Sequence, residues 1–333
     1  MIFNKNIDFL AVGDITTDAF IKLKDAHVHC NVDNTKCEIS LPFGDKIPFE
    51  KVHVVKAVGN SANASVAAAR LGLHSALNAN IGNDQNGEDC VAELRRNNVD
   101  VRFIHRNGGK PTNYHFVLWY DVDRTILINH VEYDYKFPKL PKKPRWMYLS
   151  SLASNSYEHH IEISEYLQQN PEVKLAFQPG TFQMKLGINK LKDLYVRTEV
   201  FIVNVEEAQR ILNNETRDVK TLLSELHAYG PKIVLITDGP KGAYMLDGEH
   251  FYYMPIYPDP KPPVERTGCG DSFAATFVTA MALGKAPLEA LVWAPVNPMQ
   301  VIQYVGAQEG LLTMDQLQWW LERAPADYKP KEI

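Results

Sequence analysis

The sequence predicts an α/β fold: a doubly wound, mostly parallel sheet flanked by helices, with a small β-stranded lid. Short apolar runs that end in polar residues alternate with helical segments along most of the 333 residues. This order is typical of parallel sheets. Two segments break the alternation with β-branched and aromatic residues around turn residues, which indicates antiparallel ribbons. Since no linker or internal repeat divides the chain, we expect one domain over residues 1–333.

The apolar runs predict buried strands, because aliphatic and β-branched residues dominate them. In chain order these strands are Ile7–Val12, Leu77–Ile81, Trp146–Ser150, Leu175–Gln178, Val200–Asn204 and Ile233–Asp238. The predicted helices are Asn63–Leu71, Asp89–Asn97, Tyr157–Gln169, Glu206–Leu212, Val219–Tyr229 and Ser272–Leu283. Ligands of such sheets bind beyond the carboxyl ends of the strands, so the polar residues there are the candidates for a site.

The lid is predicted from residues 27–55 and 113–129. The first segment contains CEISLPFGDKIPFEKVHVV and the second contains NYHFVLWYDVDRTILIN. Both have turn residues between runs that favour strands. Because an exposed ribbon edge invites pairing with another chain, we expect a homodimer formed through this lid.

Composition and charge narrow the class of protein. The net charge of −5 and the pI of about 6.1 give no indication of a nucleic-acid or membrane partner. The sequence shows no apolar run of bilayer length and no signal-like N-terminus, so we expect a cytoplasmic location. The cysteines form no C-x-x-C pair and predict no disulfide framework; they are Cys30, Cys37, Cys90 and Cys269. With His27 and His29, the first two fit no common zinc spacing.

A glycine turn directly before a predicted helix carries the first candidate residues. In the stretch VERTGCGDSFAATF, Asp271 follows the turn Gly268-Cys269-Gly270. A helix N-terminus presents free N–H groups that bind anions, and a carboxylate beside it can take a proton from a hydroxyl. Asp271 is therefore a candidate base for phosphoryl transfer. A plain N-cap is the alternative interpretation.

Two further strand ends carry polar or glycine-rich segments. Asn204 and Glu207 stand three residues apart at a helix start, where an amide and a carboxylate can hold Mg²⁺ through water. A capping box is the alternative. The turn Thr237–Ala243, TDGPKGA, places Gly239 and Gly242 at the spacing of a phosphate cradle, with an ordinary turn as the alternative.

Acidic and amide side chains follow the first strand and open the first helix. Asp14 and Asp18 lie in GDITTD, and Gly59-Asn60-Ser61-Ala62-Asn63 begins a helix. Such side chains can bind the hydroxyls of a polyol, although caps and turns use the same residue types. The P-loop motif and a G-x-G-x-x-G after the first strand are both absent, so a nucleotide would need another cradle.

Taken together, these segments resemble the ribokinase-like (PfkB-type) family of sugar and nucleoside kinases, and the resemblance covers nearly the whole chain. Five motifs occur in the family's order: Val58-Gly59-Asn60-Ser61-Ala62-Asn63 with Ala69-Arg70-Leu71-Gly72 for G-G-x-x-x-N and A-R-L-G, Ile81–Gly87 for I/V-G-x-D-x-x-G, Asn204–Ala208 for N-x-x-E-A, Thr237–Ala243 for T-x-G-x-x-G-A, and Glu265–Asp271 for D-T-x-G-A-G-D. Each motif alone is weak, but five in order are specific.

The resemblance implies an ATP-dependent phosphotransferase that moves the γ-phosphate of ATP to a hydroxymethyl or alcohol group of a small sugar, ribose-like or fructose-like. Asp271 would be the base, and the N–H groups of Gly268, Cys269 and Gly270 the anion hole. The other implied site residues are Asp18, Gly59 and Asn63 for substrate hydroxyls, Asn204 and Glu207 for Mg²⁺ and the triphosphate, Thr237, Gly239 and Gly242 for the nucleotide, and Asn297 near the adenine. The implied cofactors are ATP and Mg²⁺.

Four positions depart from the family pattern. Glu265 and Arg266 replace the Asp and Thr of D-T-x-G-A-G-D. Many relatives bind a monovalent cation, typically K⁺, near that Asp, so these departures put a K⁺ site in doubt, and Arg266 is a candidate source of the positive charge. Cys269 replaces an alanine and brings a thiol close to the phosphate. Val58 replaces the first glycine of the substrate loop.

The substrate is the least constrained expectation. Lid cations would suit a phosphorylated or acidic substrate, and lid aromatics would either stack on a base or sugar or pack the lid; these residues are Arg124, Lys46, Lys51, Tyr114, Phe116, Trp119 and Tyr120. We expect a neutral furanose-type sugar. The alternatives are an adenosine-type nucleoside kinase and a regulator that binds sugar or nucleotide without turnover. The intact Gly268, Gly270 and Asp271 favour an enzyme.

Overall fold

A computed structural model describes residues 6–31, 37–121 and 123–333. Its strands are β1 (Phe9–Val12), β2 (Thr16–Leu23), β3 (His27–Cys30), β4 (Cys37–Ser40), β5 (Phe49–Val58), β6 (Ser75–Gly82), β7 (Asp100–Asn107), β8 (Asn113–Tyr120), β9 (Asp123–Leu127), β10 (Trp146–Leu149), β11 (Lys174–Phe177), β12 (Thr198–Asn204), β13 (Ile233–Thr237), β14 (Ala243–Asp247), β15 (His250–Met254) and β16 (Lys331–Glu332). Its helices are α1 (Asn60–Arg70), α2 (Gln85–Arg96), α3 (Tyr157–Gln169), α4 (Thr181–Leu186), α5 (Lys192–Arg197), α6 (Val205–Leu212), α7 (Val219–His227), α8 (Cys269–Ala282), α9 (Pro287–Trp293), α10 (Val296–Val301) and α11 (Met314–Glu322).

A large sheet forms the centre of the described structure. Its strand order is β16-β15-β14-β13-β12-β11-β10-β1-β6-β7. Neighbouring strands from β7 to β13 pair in parallel, and β14, β15 and β16 extend the sheet as antiparallel strands. Helices flank this sheet, and the predicted fold class is confirmed.

Both faces of the large sheet are buried. In β1, Phe9 and Ala11 belong to one hydrophobic cluster, whereas Leu10 and Val12 belong to the other. This separation follows from the two-residue period of a strand, since successive side chains point to opposite faces. On the face of Phe9, the small side chains of α1 and α8 bring these two helices into contact. The N-terminus of α8 thereby meets the carboxyl ends of the central strands.

A second sheet, which we call the lid sheet, has the strand order β5-β2-β8-β9. The predicted ribbon segment 27–55 contains β3, β4 and most of β5, and segment 113–129 contains β8 and β9. The sequence analysis did not predict β2, which lies between β5 and β8 and pairs with both. Its first residues, Thr16 to Asp18, are polar and resembled a loop. They are buried because this end of β2 forms the junction between the two sheets.

The sequence predicted no disulfide framework, but one pair of cysteines is bonded. Cys30 and Cys37 are disulfide-bonded. The pairing has a simple cause: β3 and β4 are antiparallel, and these two cysteines are direct register partners with Cα atoms 4.0 Å apart. Cys90 and Cys269 are free thiols.

The helices of the described residues are all too short or too polar to cross a bilayer. The longest is α8, which runs for 14 residues.

Candidate active site

A polar cavity of about 410 Å³ lies at the carboxyl ends of the central strands, between the lid sheet and the N-terminus of α8. This is the location expected for a ligand site in a parallel α/β sheet. Residues from both sheets line it, including Asp18, Asn63, Glu207 and Asp271. Residues that stand far apart in the sequence, on β2, α1, α6 and α8, therefore meet in one space.

Asp271 lies in the first turn of α8, and three side-chain amides hold its carboxylate. Asn60 Nδ2 donates to Oδ1 at 2.8 Å, Asn63 Nδ2 donates to Oδ2 at 2.8 Å, and Gln178 Nε2 donates to Oδ1 at 3.2 Å. These bonds fix the orientation of the carboxylate and favour its ionised form. The alternative of a plain N-cap does not describe this residue, because Gly268 is the N-cap of α8.

Burial raises the pKa of Asp271 above its usual range, because a low-dielectric site disfavours the charged carboxylate. The three amides and the positive charge of Arg124 oppose this rise. A carboxyl group whose pKa is raised is a stronger base once it is ionised. Tyr148 helps to orient the Gln178 amide, since the tyrosine hydroxyl donates to Oε1 of Gln178.

The turn Gly268–Gly270 leads directly into α8. Gly268 has φ +82°, and a Cβ at this position would lie 2.4 Å from the Cβ of Ala307, so only glycine fits. The first bond of the helix ladder runs from Ser272 N to Gly268 O at 2.8 Å. The preceding N–H groups, on Cys269, Gly270 and Asp271, have no partner within the ladder and face the cavity end of the helix. N–H groups in this position can bind an anion, which would then lie beside the Asp271 carboxylate.

The thiol of Cys269 lies in this turn and is only partly exposed. Burial raises its pKa to about 12; nearby arginines lower it slightly and nearby carboxylates raise it slightly. Since the thiolate is the reactive form of cysteine, the thiol stays protonated and unreactive near neutral pH.

Glu265 and Arg266, the two departures before the turn, have different surroundings. Glu265 is 2% exposed, and its carboxylate accepts from the backbone N–H of Thr267 at 2.6 Å and from that of Gly306 at 2.8 Å. It ties the glycine turn to the loop around residue 306. The guanidinium of Arg266 is exposed and lines the polar cavity.

Asn204 and Glu207 both line the cavity and also form the capping box of α6. Glu207 N donates to Asn204 Oδ1 at 2.8 Å, and Asn204 N donates to Glu207 Oε2 at 2.9 Å. Burial raises the pKa of Glu207, and the like charge of Asp271 adds to the effect. The capping box and a site role are therefore compatible, since both side chains stay accessible to the cavity.

Within the described residues, no group of three or more histidine, cysteine, aspartate or glutamate side chains could enclose a metal ion. Mg²⁺ does not need such a cage, because it keeps several waters and binds through one or two carboxylates plus phosphate oxygens. Glu207, with the Asn204 amide beside it, fits this mode of binding.

The lid side of the cavity contains buried polar atoms without partners. Asp18 and His115 are register partners on β2 and β8, with His115 Nδ1 3.4 Å from Asp18 Oδ1. Asp18 Oδ1 and His115 Nε2 are buried and make no hydrogen bond. Such atoms are costly to bury unless a ligand satisfies them. Both residues line the cavity, where hydroxyl groups of a bound molecule could do so.

Asp14 and His130 form a second polar pair on the same wall. His130 Nδ1 lies 3.2 Å from Asp14 Oδ2, and Tyr135 OH donates to the same carboxylate at 2.8 Å. Gly59, at the N-terminus of α1, packs against this loop: it has φ +104°, and a Cβ there would lie 2.9 Å from Asp14 O. Val58, which replaces a glycine of the family pattern, also lines the cavity.

An apolar cavity of about 320 Å³ adjoins the polar one. Thr237, Gly239 and Gly242, which the family resemblance assigned to the nucleotide, line it. Asn297 does not line it. Its side chain is fully buried, with Nδ2 donating to Thr276 Oγ1 and Oδ1 accepting from Leu312 N, both at 2.8 Å. Its neighbours Pro298 and Met299 do line the cavity, so the position near an adenine stays a prediction, but internal bonds already use both ends of the amide.

Of the lid residues expected to select a substrate, only Arg124 lines the polar cavity. Its Nε is buried without a hydrogen-bond partner. Lys51 instead lies over the ring of Trp119 at 5.7 Å. The lid aromatics are absent from the lining of the polar cavity in the described residues and pack within the lid sheet, as Tyr114 and Phe116 do at 5.3 Å.

Sequence reasoning missed several residues of the site. Gln178 ends a predicted strand, so the rule that polar residues at strand ends are candidates could have found it. Asn60 lies inside a quoted motif, but nothing in the sequence assigned it to Asp271. His115 and His130 carried no signal, because neither the lid register nor the loop after β9 follows from the sequence.

Comparisons with known proteins show what this chain is similar to. The model of the pfkB family of carbohydrate kinases matches residues 30–314. The chain is 22% identical over 332 residues to an ATP-dependent 6-phosphofructokinase of Thermoanaerobacterium thermosaccharolyticum, covering 94% of this chain and 93% of the relative. It is 25% identical over 348 residues to a 5-dehydro-2-deoxygluconokinase of Geobacillus thermodenitrificans, with 97% and 95% covered. Arabidopsis thaliana ribokinase, solved with ribose and ATP, aligns with a TM-score of 0.76 at 20% identity over 96% of this chain and 99% of that chain.

The fold and the paired cavities define an α/β protein of the ribokinase type. Because the family model matches most of the sequence, the chain belongs to the pfkB family of carbohydrate kinases. The family resemblance found in the sequence motifs is thereby confirmed.

Proposed function

We propose that this protein transfers the γ-phosphate of ATP to a hydroxymethyl or alcohol group of a small sugar. One observation carries the proposal: the Asp271 carboxylate, held by Asn60, Asn63 and Gln178, lies beside the free N–H groups that begin α8. A base and an anion site within one helical turn are the two elements that phosphoryl transfer to a hydroxyl requires.

In the proposed reaction, Asp271 accepts the proton of the acceptor hydroxyl as the hydroxyl oxygen forms a bond to the γ-phosphorus. The bond between that phosphorus and the β–γ bridging oxygen breaks, and ADP leaves with its electron pair. The N–H groups of Gly268, Cys269 and Gly270 would face the charge on the transferred phosphoryl group. Since the reaction demands mostly positioning, the rigid carboxylate and the glycine turn would supply much of the catalysis.

Mg²⁺ would neutralise phosphate charge when bound. Glu207 would hold it, mainly through water, and Asn204 would orient this shell. The position of Glu207 supports this role, because a bound cation would offset the cost of ionising a buried carboxyl beside Asp271, the same cost that raises its pKa without the cation.

The acceptor would occupy the lid side of the polar cavity. Asp18 and His115 would offer an acceptor and a second polar group to hydroxyl groups, and each has a buried atom without a hydrogen bond. Asn63 lines the same space, but its amide already bonds Asp271 and Gln308, so it would contact the acceptor through its remaining N–H or lone pair. A sugar fits this lining better than a nucleoside does, because none of the four lid aromatics lines the polar cavity. Because Arg124 also lines this cavity, sugars that carry an acidic group are further candidate acceptors.

The base of the nucleotide would lie in the apolar cavity, against Thr237, Gly239 and Gly242. The four residues that line both cavities would then contact the phosphate chain, which must pass from one cavity to the other; they are Thr237, Arg266, Cys269 and Gly270. Asn297 would act from behind this wall as a structural residue.

The outer face of the lid sheet supports a homodimer. Val52, Val54, Phe116 and Leu127 are each about half exposed. The strand register places them on one face, since Val54 and Phe116 both pair with Ala19, and Phe116 pairs with Leu127. A row of exposed apolar side chains across a sheet is typical of an interface. Light scattering at micromolar concentration should give the mass of two chains, and a single-chain mass would contradict this proposal.

The kinase proposal is tested by ATP-dependent ADP release with a panel of sugars, sugar acids, sugar phosphates and nucleosides. Wild type should turn over at least one sugar. Asp271→Asn should lower kcat roughly 10²–10⁴-fold, the usual contribution of a general base, while ATP binding remains. Circular dichroism and thermal unfolding check that the variant folds. Turnover that survives in Asp271→Asn would contradict the assignment of the base.

A further inference from the structure

Arg266 is a cation at the junction of the two cavities. It is one of the four residues that line both of them. Its guanidinium is exposed and makes no hydrogen bond or ion pair with any residue of the described chain. An arginine presents five N–H donors in a planar fork that matches phosphate oxygens. An unpartnered guanidinium in this position is therefore suited to bind a phosphate group.

The charged side chains around the junction are mainly acidic. Asp271 and Glu207 lie on the side of the polar cavity, where Arg124 supplies one positive charge, and Asp259 lines the apolar cavity. Burial raises the pKa of Asp259, and the charge of Arg266 opposes this rise, so the two side chains interact electrostatically. A triphosphate that crosses this region would add several negative charges. Lys241, the nearby lysine of the TDGPKGA turn, is already paired with Asp238 at 3.3 Å.

The carboxylate of Glu265 is already bonded within the protein, so it does not need the positive charge of its neighbour Arg266. The N–H groups of Thr267 and Gly306 donate to its two oxygens, so backbone dipoles already compensate the buried carboxylate. The link between the glycine turn and the loop around residue 306 thus forms within the protein itself. A monovalent cation, which the family resemblance suggested near this position, is not needed to hold these two segments together.

We propose that Arg266 binds the phosphate chain of the nucleotide and acts as a built-in cation, so that neither nucleotide binding nor turnover needs K⁺. This inference rests on the proposed kinase function for the identity of the ligand. It assigns a role to a residue at which this chain departs from the family pattern. The contact is electrostatic and bidentate, and it involves the phosphates rather than the base or the acceptor.

The test measures binding by isothermal titration calorimetry, which needs no acceptor and no turnover. MgATP, MgADP and adenosine are each titrated into wild type, Arg266→Ala and Arg266→Lys. Loss of a charge-assisted contact should weaken MgATP and MgADP binding by Arg266→Ala about 10- to 100-fold. Adenosine should bind all three proteins equally, because the apolar cavity is unchanged. Arg266→Lys should fall between the other two proteins.

Arg323→Ala is the control variant. Arg323 lies at the C-terminal end of α11, where its guanidinium stacks on the ring of Trp319 at 4.1 Å, and it lines neither cavity. Its nucleotide affinities should equal those of wild type. Wild-type MgATP affinity should also stay within about twofold when K⁺ replaces choline, whereas Arg266→Thr, which restores the family residue, should gain affinity with K⁺.

Three results would overturn the inference: unchanged MgATP affinity in Arg266→Ala, an equal loss for adenosine and MgATP, or a wild-type protein that binds MgATP only with K⁺. The kinase proposal fails separately. If wild type phosphorylates no acceptor but its MgATP affinity depends on Arg266, the nucleotide role stands without the reaction. If wild type turns over and Arg266→Ala binds MgATP normally, only the inference about Arg266 fails.

Discussion

The side-chain amide of Asn60 donates a hydrogen bond of 2.8 Å to the carboxylate of Asp271, 211 residues further along the chain. The bond joins the N-terminus of α1 to that of α8. It also favours the ionised carboxylate, and so opposes the burial that raises the pKa of Asp271. The protonation state of the proposed base therefore depends on an amide that is distant in the sequence but adjacent in the folded structure.

Asn60→Ala should move the acid limb of the kcat/KM profile to higher pH. Removal of a donor leaves the ionised carboxylate less stabilised, so the pKa of Asp271 rises further and activity is lost at a higher pH as the solution is acidified. Well above that limb, the rate should stay within about tenfold of wild type, because Asn63 and Gln178 still hold the carboxylate. The measurement is kcat/KM against pH for the substrate found in the panel.

Asn107→Ala is the control for that profile, because Asn107 is an amide at the end of β7 that bonds Asn80 outside the cavity. Its profile should overlay that of wild type. An Asn60→Ala profile with an unmoved or lowered acid limb would contradict the role of the amide in setting the pKa.

Glu207→Gln should raise the Mg²⁺ concentration needed for half-maximal rate by roughly 10- to 100-fold, as is usual when a group that orients the metal shell is changed. Glutamine at the third helical position can still accept from Asn204 N, so the capping box and the fold should persist. The measurement is a Mg²⁺ titration of the initial rate at fixed ATP.

The adjacent Glu206 provides a matched control, because it is exposed and pairs with Arg217 instead of facing the cavity. Glu206→Gln should leave the Mg²⁺ dependence unchanged. Equal Mg²⁺ curves for wild type and Glu207→Gln would remove Glu207 from the metal site.

The sequence predicted the strands of the large sheet better than those of the lid sheet. Strands such as β12 and β13 are runs of aliphatic residues between polar ones, and burial on both faces produces this pattern. β2 was not predicted because its first half is polar: Asp18 lies in this strand, but its side chain lines the polar cavity. Local propensity does not register a strand whose inward face carries site residues.

The sequence also predicted only part of the candidate site, namely the residues that stand in recognisable local patterns. Asp271 and Glu207 stand in local patterns, a glycine turn and a helix start, whose chemistry is visible in a few residues. The partners that set their properties are not local. Asn60 and Gln178 reach Asp271 only through the packing of α1, β11 and α8, and the disulfide of Cys30 arises from strand register. The internal bonds of Asn297 could not be predicted for the same reason: its neighbours on α10 line the apolar cavity, while its own amide bonds Thr276.

Gly268→Ala should destabilise the fold and abolish most activity. The residue has φ +82°, and the new Cβ would lie 2.6 Å from the Cα of Ala307, which is backbone and cannot move aside cheaply. The left-handed conformation alone costs about 1–2 kcal/mol for a non-glycine residue, and the clash would displace the anion turn. A shift of about 1 Å at a reacting centre lowers kcat by roughly 10²-fold. Thermal unfolding and kcat are measured together.

Gly284→Ala separates backbone strain from the clash. Gly284 follows α8 with φ +87°, but a Cβ there would meet no atom within 4 Å. Its free energy of unfolding should fall by only about 1–2 kcal/mol, with kcat unchanged. If Gly268→Ala behaved like Gly284→Ala in both measurements, the close contact with Ala307 would not govern the turn.

His160 should make the fold sensitive to acid. It is 2% exposed, its Nδ1 bonds Ser156 O at 2.7 Å, and its Nε2 meets Gln183 Nε2 at 2.9 Å. Gln183 also donates to Ser150 O at 2.8 Å, at a strand end beside the cavity. Burial lowers the pKa of His160 to about 4, so the imidazole is neutral and Nε2 accepts.

The folded-state pKa of His160 lies below the ordinary value of 6.5, so between these two values the unfolded chain binds the proton more readily. Stability that is fully present above pH 6.5 is therefore lost as the pH falls toward 4. At pH 5 this loss amounts to about 2 kcal/mol. His160→Gln, which cannot take up a proton, should lose about that much less free energy of unfolding than wild type between pH 7.5 and pH 5. Urea unfolding at the two pH values measures it. His105→Gln, at an exposed histidine, should behave like wild type, and an equal loss in wild type and His160→Gln would refute the assignment.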